Sequence, residues 1–312
     1  MHNADGEMTK QLTVHRISWQ KLAALILALS LVSASGFAVN HGNAQEKARP
    51  IDAITDNSFL IEEAYNQEVG VVQHIFTAVY SKNQDQRPKV RGWQFSFTQE
   101  WPILSQDHQF SYTIPFSFTH EGAQRRDGIE DVLLNYRYQL LEERESMPAM
   151  APRISLVLPT GSPDRGTGNG VVGLDFNLPV SKKLTDRTAV HFNYGINFFP
   201  GARVRTESGV LSPKRSLVSY NLGASAIWAF SSQVHGLLEW TGSFEESIND
   251  NGRPRRDFLT VLSPGIRVAA YNGQNSKQLV LGLATPIGLN RASDNYGVLL
   301  YFSFEHNFLS NP

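Results

Sequence analysis

From Tyr296 to Phe308 the chain alternates at period two. Tyr296, Val298, Leu300, Phe302, Phe304, His306 and Phe308 fall on one side, and Tyr301, Ser303, Glu305 and Asn307 on the other. Successive side chains of a strand point to opposite faces, so this run has one apolar and one polar face. Two settings give that character: a half-buried strand of a water-soluble sheet, or a barrel strand with lipid outside and water inside. Recurrence and flanking sequence decide between them.

The pattern recurs along the chain. Trp93, Phe95, Phe97 and Trp101 oppose Gln94, Ser96, Thr98 and Glu100. Phe110, Tyr112, Ile114, Phe116 and Phe118 oppose Ser111, Thr113, Ser117 and Thr119. Val132, Leu134, Tyr136, Tyr138 and Leu140 oppose Asp131, Asn135, Arg137 and Gln139, and Val190, Phe192, Tyr194, Ile196 and Phe198 oppose His191, Asn193 and Asn197. About twelve strands follow, over 70–81, 91–102, 108–120, 129–141, 152–160, 170–181, 187–199, 216–230, 233–244, 257–270, 277–289 and 296–308. The first and tenth alternate poorly, which marks bulges or misplaced bounds. Strands of a soluble sandwich usually run to about 5–6 residues, whereas a tilted strand crossing a bilayer needs about 9–11. Length therefore points to an all-β chain folded as a transmembrane, antiparallel, up-and-down β-barrel, and an even strand count returns both chain ends to one side.

Connection lengths support the same architecture. The long hydrophilic ones, Lys82 to Val90, Glu121 to Gly128, Gly161 to Asn169, Pro200 to Arg215, Glu245 to Arg256 and Asn290 to Asn295, alternate with tighter ones such as Ile103 to Asp107, Ser231 to Ser232 and Asn272 to Ser276. Short periplasmic turns and longer outer loops are the asymmetry of an outer-membrane barrel, with Glu142 to Ala151 the exception. Trp93, Trp101, Trp228, Trp240, Tyr296 and Phe308 fall near the expected strand ends, where aromatic rings suit the headgroup level.

The N-terminus reads as an export signal. Lys10, His15, Arg16 and Lys21 precede an apolar core, Leu22 to Val32, followed by small residues; cleavage after Ala44 is favoured over Ala38, and Met8 is an alternative start. An uncleaved anchor is the competing reading, but a membrane-spanning helix needs about 20 residues. The expected organisation is a signal peptide over 1–44, a periplasmic N-terminal segment over 45–69 and an outer-membrane barrel over 70–312, in a Gram-negative-type bacterium. Charged residues are 18% of the chain and the formal net charge is −1, with no basic stripe interleaved with aromatics, so no nucleic-acid partner is expected. Cysteine is absent, which removes thiol chemistry, cysteine metal sites and a lipidated cysteine.

Three stretches resemble the phenol meta-pathway outer-membrane protein family: Gly128-Ile129-Glu130-Asp131-Val132-Leu133-Leu134-Asn135-Tyr136-Arg137-Tyr138, Leu156-Val157-Leu158-Pro159-Thr160-Gly161 and His191-Phe192-Asn193-Tyr194-Gly195. The resemblance spans most of Asn57 to Phe308 and implies an outer-membrane β-barrel transporter, with a hydrophobic or aromatic solute if the family's name bears on this chain. It carries over no catalytic residue.

Glu100, Asp131, Arg137, Arg153, Asp175, His191, Glu239, Arg267 and Glu305 fall on the face assigned to the lumen. An Arg facing lipid near the midplane would cost about 2–4 kcal/mol, so these residues constrain the register. They either line a polar passage or fill a narrow barrel with ion pairs. Arginines cluster in the loops at Arg125 and Arg126, at Arg203, Arg205, Lys214 and Arg215, and at Arg253, Arg255 and Arg256, where they either bind lipid phosphates or keep the loops soluble. A barrel lipase needs a serine beside a histidine. His74, His120, His191, His235 and His306 have no serine two residues away, and no metal-ligand spacing occurs. The expectation is a non-enzymatic barrel without cofactor or metal, whose partners are outer-membrane lipids, the barrel-insertion machinery acting through the last strand, and an unidentified small solute. A closed structural or surface-binding barrel is the alternative. The segment from Gln45 to Val69 is a candidate gate at the periplasmic mouth.

Overall fold

The computed structural model describes residues 57–85, 89–122, 124–206, 208–273 and 277–308. The expected export signal over 1–44 and residues 45–56 lie outside them. Among the described residues no helix is long and apolar enough to cross a membrane.

Twelve antiparallel strands close into one barrel. They are β1 (Val71–Asn83), β2 (Val90–Ile103), β3 (Ser105–Glu121), β4 in two pieces (Gln124–Ile129 and Val132–Tyr138) and β5 in two pieces (Ala149–Met150 and Arg153–Leu158). Next come β6 (Gly173–Thr185), β7 (Thr188–Ala202), β8 (Arg215–Ala229), β9 (Val234–Ile248), β10 (Pro254–Asn272), β11 in two pieces (Gln278–Ala284 and Ile287–Gly288) and β12 (Tyr296–Asn307). Each strand pairs with its successor, and β12 returns to β1 in an unbroken register from Val71↔Asn307 to Lys82↔Tyr296. Among the described residues no edge strand is left, so every stave finds its hydrogen-bond partners within the wall.

The wall is apolar outside and polar inside, the reverse of a water-soluble protein. Phe76, Ile154, Leu174, Phe192, Leu238, Leu281 and Phe302 are exposed, while Gln73, Glu100, Arg137, His191, Glu239 and Arg267 are buried. In β12 Leu300 and Phe302 are 45% and 43% exposed, whereas Tyr301 and Ser303 are 4% and 1% exposed, so the period-two pattern maps directly onto the two faces. On β8 and the residue just after it, the outward Tyr220, Leu222, Ala226, Trp228 and Phe230 are exposed and Ala224 between them is half-buried. That stretch runs about 33 Å along the strand, or about 25 Å along a barrel axis at the usual tilt, which matches the thickness of a bilayer's apolar band.

The structure changes several sequence-derived bounds. Glu121 to Gly128 and Glu245 to Arg256 are not long loops. β3 and β4 continue pairing as far as Glu121↔Gln124, and β9 and β10 as far as Ile248↔Pro254. Charge pairs make these extensions compatible with strand: Arg126 bridges to Glu121, Arg125 to Asp127, Arg255 to Asp257 and Arg256 to Glu246. Because β9 reaches Ile248, Trp240 lies mid-strand, its indole N–H donating to Thr260 Oγ1. β10 shifts register against β11 between Ala269 and Tyr271, as its weak alternation suggests, but β1 pairs regularly on both sides. The poor pattern of β1 has another cause. Its inward Ile75 and Val79 pack on an apolar cluster of Phe59, Ile227, Leu237, Ala269, Val280, Ala284, Leu299 and Tyr301. Glu142 to Ala151 remains long and lies at the end of the barrel that holds Val71 and Asn307.

Candidate functional site: a segment seated inside the barrel

The residues just before β1, Asn57 to Gln67, run through the barrel interior. Their partners come from the whole circumference, which only an enclosed peptide can reach. Asn57 Nδ2 donates to Glu100 Oε1 on β2 at 3.3 Å, and the Asn57 carbonyl accepts from Arg267 Nη1 on β10 at 2.8 Å. Ser58 Oγ lies 3.0 Å from Ser225 Oγ on β8. The backbone N–H groups of Leu60 and Ile61 both donate to Glu239 Oε1 on β9, at 2.8 and 3.2 Å. Glu62 N–H donates to Asn193 Oδ1 on β7, and Ala64 N–H to Ser181 Oγ on β6, each at 2.8 Å. Gln67 N–H donates to Gln109 Oε1 on β3 at 2.7 Å, while its side-chain amide reaches Gln73 on β1 and Glu305 on β12.

Apolar contacts fix the other side. The Phe59 ring lies 5.0 Å from that of Tyr301. Glycines in the wall make room for the segment: a Cβ on Gly282 would sit 2.3 Å from Phe59 Cζ, and one on Gly223 would sit 2.3 Å from Ile61 Cδ1. Phe59 and Ile61 therefore occupy sockets that a larger residue would fill.

Two adjacent carboxylates form the ionic half. Glu62 accepts from Arg137 Nη1 at 3.1 Å, Arg153 Nε at 2.8 Å and Asn177 Nδ2 at 2.7 Å. Burial alone would push its carboxyl up. The Arg153 and Arg137 guanidiniums, with hydrogen bonds from Arg153 and Asn177, outweigh that and hold it below the ordinary value of 4.5. Glu63 Oε1 lies 3.8 Å from His191 Nε2 and 3.7 Å from Arg267 Nη1.

Seven of the nine sequence-derived candidates thus meet the segment: Glu100, Arg137, Arg153, His191, Glu239, Arg267 and Glu305. Asp175 reaches it indirectly, through a 2.8 Å ion pair with Arg153. Asp131 does other work, accepting from the N–H groups of Gly161 and Asn169 at 3.0 and 2.9 Å and so folding their loop over the wall. Ser181 and His191 stand opposite each other in register, with Oγ 2.8 Å from Nδ1. A serine, a histidine and Glu63 therefore line up, a pairing between strands that within-strand spacing could not reveal. Ser181 is fully buried and already accepts the Ala64 N–H, so with the segment seated this trio is a structural anchor.

Space remains on the loop side of the segment. A cavity of about 350 Å³ has Leu60 and Ile61 on one side and Arg153, Asp175, Asn177, Asn193, Asn221 and Ser243 around it. A second, of about 460 Å³, shares Asp175 and extends past Leu133, Val157 and Phe199 to Arg126, Asn169 and Arg205.

Among solved structures, an outer membrane channel from Pseudomonas putida F1 superposes with a TM-score of 0.61 over 78% of this chain and 97% of that one, at 14% identity. The two share a fold. The NanC porin gives a TM-score of 0.45 at 8% identity over 74% of this chain and 98% of that one, and a mutant of the TodX monoaromatic hydrocarbon channel gives 0.39 at 13% identity over 77% and 91%. No family model matches the chain, and no curated protein matches it. The resemblance to the phenol meta-pathway family rests on the three motifs alone.

Proposed function

We propose that this protein is an outer-membrane channel for passive uptake of small solutes, with its loops outside and both ends of the barrel wall in the periplasm. The observation that carries this reading is the pair of adjoining cavities on the loop side of the seated segment, the smaller lined mainly by polar groups and the larger by polar and apolar ones, inside a wall whose outer face is an apolar band. A barrel that served only as a scaffold would gain by filling that space with side chains, as narrow barrels do. Here it is bordered by asparagine, serine and ion-paired aspartate, groups that can exchange contacts with a passing solute. Residues 57–67 act as the gate, seated with wall contacts all around.

The seven ionisable residues that meet the segment then have two roles. With the gate seated they are its anchorage, and with the gate displaced they line the passage. Hydrophobic or aromatic character of the solute is what the family resemblance implies, and the apolar Leu133, Val157 and Phe199 beside the larger cavity suit such a body.

Planar-bilayer recording tests the reading. The full-length refolded barrel is expected to show brief, small conductance steps, and a variant lacking residues 57–67 long, larger ones. Silence from both, with the folded state verified by heat-modifiable migration, would establish the closed structural or surface-binding barrel instead.

A further inference from the structure

Arg137 and Arg153 are direct cross-strand partners on β4 and β5. Like charges placed opposite each other repel, and a buried guanidinium needs acceptors for its five donors. A single carboxylate answers both demands: Glu62 gives one oxygen to each arginine, and Asn177 donates to the oxygen that faces Arg153.

The wall does not hold Arg137 by itself. Its four acceptors among the described residues are Asn66 Oδ1 at 2.8 Å, Glu62 Oε1 at 3.1 Å, the Glu63 carbonyl at 3.2 Å and the Tyr65 carbonyl at 2.7 Å, all on the seated segment. Arg153 in contrast keeps Asp175 and Asn135. Whenever the segment leaves, a paired guanidinium site opens next to the cavity that contains Arg153, Asn177 and Asn193.

We propose that Arg137 and Arg153 form a carboxylate-binding subsite of the passage, which Glu62 occupies in the closed state as a stand-in for the solute. This rests on the channel reading and narrows it to small carboxylates on an apolar body. Exchanging Glu62 for a solute carboxylate leaves the charge at the arginine pair unchanged, so the pair stays compensated throughout. A neutral or cationic solute that displaced Glu62 would leave two guanidiniums facing each other. The carboxylate group is therefore both the key that releases the segment and the feature selected.

Benzoate, with benzyl alcohol as its neutral counterpart, is the probe. In equilibrium dialysis with the full-length folded barrel, Glu62→Gln is expected to bind benzoate at least tenfold tighter than the wild type, because the competing carboxylate is gone. Adding Arg153→Gln should weaken that binding at least tenfold, the loss of one charge-assisted hydrogen-bond partner. In the unaltered protein, benzoate but not benzyl alcohol should expose residues 57–67 to protease, a readout that needs no variant to fold. Equal benzoate binding by Glu62→Gln and wild type, binding indifferent to Arg153→Gln, or equal protection with both probes would overturn the subsite. Benzoate binding as expected in a barrel that passes no ions under any condition would support the subsite and overturn the channel reading instead.

Discussion

Phe302 and Ser303 are adjacent in sequence yet face opposite sides of the wall, one exposed and one buried. An arginine at Phe302 would place a charge in the apolar band at a cost of about 2–4 kcal/mol near the midplane, whereas one at Ser303 would enter a polar interior. Phe302→Arg is therefore expected to impair membrane insertion far more than Ser303→Arg, as read by heat-modifiable migration of the folded fraction. Equal tolerance would refute the register of β12. The sockets give a second residue-scale expectation. Gly282→Ala forces a methyl against Phe59 and the Tyr301 Cβ, and overpacking of this kind typically costs about 1–3 kcal/mol. The barrel should fold, but residues 57–67 should become more sensitive to protease than in the wild type. Alternation alone assigned the ionisable residues to one face of each strand; it could not mark the sockets, because a glycine has no side chain to show its face.

The seated segment shows most clearly where local sequence reading stops. Residues 57–67 have no strand or helix period, and their acidic, irregular character matches that of a surface linker. What could have singled them out is the apolar triplet Phe59-Leu60-Ile61 directly before Glu62 and Glu63, together with inward arginines in need of anions. The strands were legible because period two is a local property, whereas the segment's partners lie across the full circumference. The same separation explains why Glu121 to Gly128 and Glu245 to Arg256 read as loops. Their charges look solvated until the pairing of Arg126 with Glu121 and Arg256 with Glu246 is known. Acid provides a test of the element. Since the Glu62 carboxyl in the folded protein lies below its ordinary value, its stabilisation is complete above that value and fades as pH falls through the lowered one. The part of the protease protection of residues 57–67 that Glu62 supplies should thus persist from neutral pH down to the ordinary carboxylate range and be lost only below it. In Glu62→Gln, which does not titrate, that acid step should shrink.

At the scale of the whole molecule, twelve staves, closure and the inside-out distribution of polarity were all readable from the chain, because each follows from repetition of one pattern. Whether the interior is open or filled was not readable, since that depends on shear and on which side chains meet across the lumen. Deleting residues 57–67 is expected to lower thermal stability as well as raise conductance, because it strips partners from Arg137, Glu239 and Arg267 together. A thermal melt beside the bilayer recording checks that the two effects arise together. The closing seam has a further meaning. β1 and β12 lie at opposite ends of the described chain, and the peptide they help to enclose is joined directly to β1. The pairing that closes the wall is then also the one that encloses the peptide, so among the described residues the first stretch of chain is held within the seam formed by the first strand and the last.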